Sequence, residues 1–156
     1  MIPLILLLTL GWSTGAWAQS EKSRQLSNME TLLEGKRFVF HAQTAFPLRG
    51  TMRQLTSEYD LRLQGDSLTI FLPYFGRAYS APMDLNGSGL RFTSTEFDYT
   101  VKARKKDRWD VRIRPKDSRD VQSLNLTIWE NGSADLQVQS NNRDPISFRG
   151  YVTERK

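Results

Sequence analysis

Leu124-Asn125-Leu126-Thr127-Ile128-Trp129-Glu130-Asn131-Gly132-Ser133-Ala134-Asp135-Leu136-Gln137-Val138 is the stretch on which the fold turns. Leu124, Leu126 and Ile128 alternate with Asn125 and Thr127, and Ala134, Leu136 and Val138 resume the alternation past Asn131-Gly132. A period of two puts every apolar side chain of a strand on one face. Asn-Gly is the residue pair that tight hairpin turns favour, because both residues tolerate positive φ. The stretch therefore predicts an antiparallel hairpin with one greasy face and one wet face.

The same pattern recurs in both directions. Upstream, Phe97, Tyr99, Val101 and Ala103 alternate with Asp98, Thr100, Lys102 and Arg104; past Lys106-Asp107 the pattern returns as Trp109, Val111 and Ile113 against Asp110, Arg112 and Arg114. Earlier still, Tyr59, Leu61 and Leu63 face Leu68, Ile70 and Leu72 across Gly65-Asp66. Arg37 to Ala42 opens the sheet, Leu90 to Thr93 adds a short member, and Ile146, Phe148, Gly150 and Val152 close it after the loop Ser140 to Pro145. Eight or nine short strands joined mainly by tight turns need antiparallel neighbours and a way to hide their edges. The expected class is all-β: an antiparallel up-and-down barrel of about eight strands, with a β-sandwich as the alternative. One short amphipathic helix precedes it, since Leu26, Met29, Leu32 and Leu33 recur at helical spacing and Gly35 follows.

The N-terminus reads differently. Leu4 to Leu10 is apolar apart from Thr9, no charged side chain precedes Glu21, and Ala16-Trp17-Ala18 has the small residues of a signal-peptidase site. The expectation is a signal peptide over residues 1–18, cut after Ala18, and one domain over residues 19–156 carrying the whole formal charge of +5. The apolar run is far short of a bilayer span. The product is expected to be soluble in the periplasm or secreted. With no cysteine anywhere, it has no disulfide, thiol nucleophile, cysteine-ligated metal or lipid-anchoring cysteine.

Leu72-Pro73-Tyr74-Phe75-Gly76-Arg77-Ala78-Tyr79, followed by Leu90-Arg91-Phe92, resembles the motif of domain-of-unknown-function family 4251 from Gram-negative envelopes. So do Asn131-Gly132, Ser140-Asn141-Asn142-Arg143 and Ile146-Ser147-Phe148-Arg149-Gly150. The likeness covers about residues 30 to 152. It implies a signal-bearing precursor and a compact, lipocalin-like β-barrel, with no known activity, substrate or catalytic residue. Some relatives look like lipoproteins, and the lack of cysteine sets this chain apart from them.

Two clusters are candidate sites. Tyr74, Phe75, Arg77 and Tyr79 are the amphipathic mixture that recognition surfaces favour. At a barrel mouth, with Tyr99 and Trp109 among the inward rows, they could bind a lipid or apolar small molecule; otherwise they tuck over the barrel end as a plug. Lys102, Arg104, Arg112 and Arg114 lie on the outer face of one hairpin, within a basic run that includes Lys106. They could contact an anionic envelope component, or be a solvated face that keeps a sheet edge from pairing with other chains. Nucleic acid is not an expected partner, since the aromatic residues here alternate inward instead of interleaving with the cations.

Catalysis has thin support. His41 is the single histidine, so a multi-histidine metal site is excluded, and Glu96 and Asp98 have plain salt-bridge partners nearby. No catalytic residue, metal or cofactor is expected. Asn86-Gly87-Ser88, Asn125-Leu126-Thr127 and Asn131-Gly132-Ser133 match the glycosylation triplet, and the two Asn-Gly cases read as turns.

Overall fold

A computed structural model describes residues 15–79, 89–105 and 107–155, with backbone alone for residues 15–20 and 23. The apolar run Leu4 to Leu10, the Asn86-Gly87-Ser88 turn and Lys106 lie outside the described residues, and the expected cut after Ala18 falls where only backbone is described. Helix α1 spans Gly15–Glu34. It is followed by β1 (Arg37–Pro47), β2 (Arg53–Gln64), β3 (Ser67–Leu72), β4 (Leu90–Ser94), β5 (Phe97–Arg104), β6 (Arg108–Pro115), β7 (Val121–Trp129), β8 (Ser133–Ser140) and β9 (Ile146–Glu154).

Among the described residues these strands make one antiparallel sheet in the order β4-β3-β2-β1-β9-β8-β7-β6-β5, curled into a half-barrel. All neighbours in that order are also neighbours in sequence except β1 and β9, the first and last strands, which pair in the middle. The hairpins sit where the alternation places them. Trp129 accepts from the Gly132 amide at 2.9 Å, and Gly132, at φ +81°, takes the left-handed residue that lets β8 turn back.

The inward rows form a single core. Leu61, Leu63, Ile70, Val111, Leu126 and Leu136 are 0–1% exposed and pack in one cluster with Phe38, Phe40 and Phe148. Helix α1 closes over it: Leu33 is fully buried, and Leu26, Met29 and Leu32 pack against the cluster. The helix is longer than its apolar residues indicate. Lys22, in the polar stretch before them, pairs with Asp107 at 3.0 Å and Glu130 at 3.3 Å, so two hairpin turns hold a segment that lacks an apolar face. Its end also differs, because Lys36 rather than Gly35 takes the left-handed conformation, at φ +51°.

Two local features mark the sheet. Strand β1 carries a bulge between Ala42 and Thr44, where its register shifts against both β2 and β9, and Gly150 lies opposite Ala42. A Cβ on Gly150 would sit 1.8 Å from the His41 carbonyl oxygen, so the two backbones meet where no side chain fits. The second feature is the seam. Thr95-Glu96 joins β4 to β5, yet the two strands share no ladder. Asp117 holds this corner by accepting from the Ser94 hydroxyl and, at 3.1 Å, from the Thr95 amide. These hydrogen bonds, the Ser94 one foremost, hold the Asp117 carboxyl below its ordinary range.

Both features are testable. Gly150→Ala drives a methyl into backbone rather than into a movable side chain, and should cost on the order of 3 kcal/mol or prevent folding, read by urea denaturation. A native-like midpoint would show that the strands can part at no cost. Asp117→Asn should be less stable than the parent above about pH 4, where a carboxyl of depressed pKa contributes fully. The gap should narrow as pH falls through the folded-state value; a gap that does not change with pH would assign the corner to something other than the carboxylate.

Candidate functional site

The Pro73–Tyr79 segment leaves the sheet where buried Pro73 ends β3. Tyr74 turns back into the core at 7% exposure. Its ring lies over Gly76, where a Cβ would come within 2.6 Å of the Tyr74 hydroxyl oxygen. That hydroxyl has one proton and two carbonyl oxygens in reach, Arg77 at 2.8 Å and Asp144 at 3.1 Å. Burial, and then the Asp144 carboxylate, pushes the Tyr74 phenol above its ordinary range, so it stays a neutral donor.

The segment is clamped by the β8–β9 loop. Ala78 bridges Arg143; the Tyr79 amide donates to Asn142 at 2.7 Å, and the Asp144 amide donates to Arg77 at 3.1 Å. The Tyr79 hydroxyl donates to the buried Asp144 carboxylate, which raises the Tyr79 pKa. Arg143 places its guanidinium 5.0 Å from the centre of the Tyr74 ring and pairs with Asp120 at 3.0 Å. Asn141 completes the knot, its amide donating to Asp120 and its side chain to Arg119.

The six aromatic-cluster candidates are thus divided. Tyr74 and Trp109 are core residues, Phe75 and Tyr99 are half-buried, and Arg77 and Tyr79 are exposed. Tyr99 and Trp109 stand on β5 and β6, across the sheet order from the β3 exit. Tyr99 serves the helix instead: its hydroxyl donates to the Leu33 carbonyl at 2.8 Å, satisfying an end of α1, and burial raises its pKa. Phe75 packs under the Arg53 guanidinium at 4.9 Å.

The four basic candidates do come together. Lys102, Arg104, Arg112 and Arg114 line one open groove of about 930 Å³ on the outer face of β5–β8, with Asn125, Gln137 and Gln139 alongside. Arg104 is tied to Asp110 at 2.7 Å, and Arg112 donates to Asn125 at 2.8 Å. Lys102 and Arg114 have no ion-pair partner among the described residues. With Lys36 also in its lining and Asp98 and Asp110 as its acids, the groove keeps an excess of positive charge.

The residues weighed for catalysis do not converge. His41 stacks on Tyr151 at 4.9 Å and meets the Thr153 hydroxyl at 3.0 Å, while four strands separate β1 from the Glu96–Asp98 edge. Asp98 pairs with Lys116 at 2.7 Å. Among the described residues no group of three histidine, aspartate or glutamate side chains could hold a metal ion. Sequence reasoning missed Asp120 and Asp144, whose signal is weak: each is one acid in a polar loop, given meaning only by the arginine and tyrosines it meets.

A search of curated proteins finds no match. The fold is similar to the crystal structure, at 1.95 Å resolution, of a DUF4251 family protein from Bacteroides eggerthii DSM 20697. The TM-score is 0.62 at 13% identity, over 87% of this chain and 91% of that one. A family model, Domain of unknown function (DUF4251), matches residues 20–152. With fold, motif strings and family model in agreement over nearly its whole length, the chain belongs to the DUF4251 family.

Proposed function

We propose that this chain is an exported, non-catalytic interaction module that docks its basic outer face on an anionic component of the envelope. The observation that carries the reading is the groove in which Lys102, Arg104, Arg112 and Arg114 converge with Asn125, Gln137 and Gln139. Phosphate-bearing head groups have the charge and acceptor oxygens such a surface recognises. The chain carries no cysteine that could take a lipid anchor, and among the described residues no helix is long and apolar enough to cross a membrane.

A second reading, an apolar or amphipathic small molecule or lipid held by the sheet, draws on the half-buried Phe75 and on Tyr79, which is 67% exposed. The residues that would line a hollow are packed against each other and against Leu33, which favours docking on the outer face.

Purified protein should bind vesicles containing an anionic phospholipid at low salt, release them at high salt and ignore purely zwitterionic vesicles. Arg112→Glu with Arg114→Glu should weaken binding by about tenfold or more, since each cation near an anionic surface is worth about 1 kcal/mol. Binding that ignores salt and these changes would end the docking reading. A small molecule retained in native mass spectrometry of protein from an envelope extract would move the case to the second.

A further inference from the structure

We propose that β5 is a self-complementary docking edge, on which a second copy of this chain pairs antiparallel about Thr100. Strand β5 ends the sheet and has β6 as its one strand neighbour among the described residues. Long edges ordinarily carry some device against pairing. Here Glu96, in the bend that leads into β5, and the outer side chains Asp98, Thr100, Lys102 and Arg104 read two acids, a neutral centre, two bases. Antiparallel pairing about Thr100 sets Asp98 opposite Lys102 of the second copy and Glu96 opposite its Arg104, and the two-fold axis repeats both pairs.

The register is specific. Counted within residues 96–104, sliding the second strand by two residues in either direction leaves two opposite-charge pairs in place of four, and a parallel in-register arrangement sets like charge on like. The inner row agrees. Phe97, Tyr99 and Val101 point toward the core yet stay half-buried, whereas the inward residues of β6 and β7 are buried. In the proposed register Tyr99 meets Val101 of the second copy and Phe97 meets Ala103, covering apolar surface that β5 leaves open.

The existing ion pairs are compatible with this. Asp98 holds Lys116 and Arg104 holds Asp110, but the side chains of Asp98 and Arg104 keep 61% and 51% of their exposure, and each can take a second partner. Glu96 and Lys102 have no ion-pair partner among the described residues. Lys102 and Arg104 line the basic groove and also stand on this edge, so the two contacts are told apart at Arg112 and Arg114, which belong to β6 and lie off the pairing edge.

Sedimentation equilibrium of the purified protein should show a monomer–dimer equilibrium. Asp98→Lys and Lys102→Glu should each raise the dimer Kd by about tenfold or more, because each replaces two opposite-charge pairs by like-charge ones. The double variant, D98K with K102E, reverses the pairs without breaking their complementarity, and should return to within about threefold of the parent. Thr100→Cys leaves the charges native; in a cysteine-free chain it should oxidise to an intermolecular disulfide, since directly opposed residues bring their Cα atoms within disulfide reach. Gln137→Cys, on β8, should not. A protein that stays monomeric at every concentration, single variants that dimerise like the parent, a double variant no better than the singles, or equal cross-linking at positions 100 and 137 would each overturn the proposal.

Discussion

The pairing of the first strand with the last is the constraint on which the rest of this molecule depends. Every other strand pair joins neighbours in sequence, and apart from β3–β4, whose connection runs over residues 73–89, each is closed by a short turn or loop. Removing the β1–β9 ladder would leave two sheets, β1–β4 and β5–β9, with Thr95-Glu96 as their chain connection and no ladder between them. Neither could bury its apolar face alone, because Phe38 and Phe40 from one and Phe148 from the other share one core. This ladder also carries the largest loop-closure entropy in the sheet. Gly150 at the β1 bulge is therefore more than a local accommodation: it is where the longest-range contact brings two backbones too close for a side chain.

The motif strings serve the same closure. Pro73–Tyr79 follows β3, and Asn141–Asp144 precedes β9, so their mutual hydrogen bonds tie the two halves at a second point away from the central ladder. A buried carboxylate is costly unless it is satisfied. Asp144 meets that requirement by accepting from Tyr79, and Arg143 beside it is paired with Asp120. The aromatic string is thus explained by packing and hydrogen bonding as fully as a binding site would explain it.

How much of this the sequence discloses follows from the range of the interaction concerned. The strands and their inward rows were legible because a period of two is local, and the outer basic row was legible for the same reason: Lys102, Arg104, Arg112 and Arg114 share a parity that the ladder preserves. The Asn131-Gly132 turn was legible from two residues. The seam was not, because Thr95-Glu96 is short enough to read as a hairpin; Asp117, the acid that accepts hydrogen bonds at this corner, stands beyond the end of β6. The length of α1 was hidden too, since Lys22 is held by turns more than eighty residues away in sequence. Whether the aromatic string opens to a ligand or locks a loop depends on Asn142 and Asp144, which no local pattern connects to it.

The distribution of charge gives the last step. A half-barrel whose concave side is occupied by its own helix and side chains has its convex face and its two edges left for recognition. On this chain those surfaces are not randomly charged. The positive excess gathers on β5–β6, while Asp135 and Arg149 neutralise each other further round the sheet. At physiological ionic strength such a field reaches only about 8 Å, so it acts on a partner already close and gives orientation more than distant capture. Because β5 contributes both to that face and to the free edge, pairing two copies along it would place their basic grooves on one continuous surface. Two grooves held together in this way would bind a charged lattice with the gain of a linked second site, so on the proposed reading assembly along the edge would convert a weak electrostatic contact on the face into a lasting one.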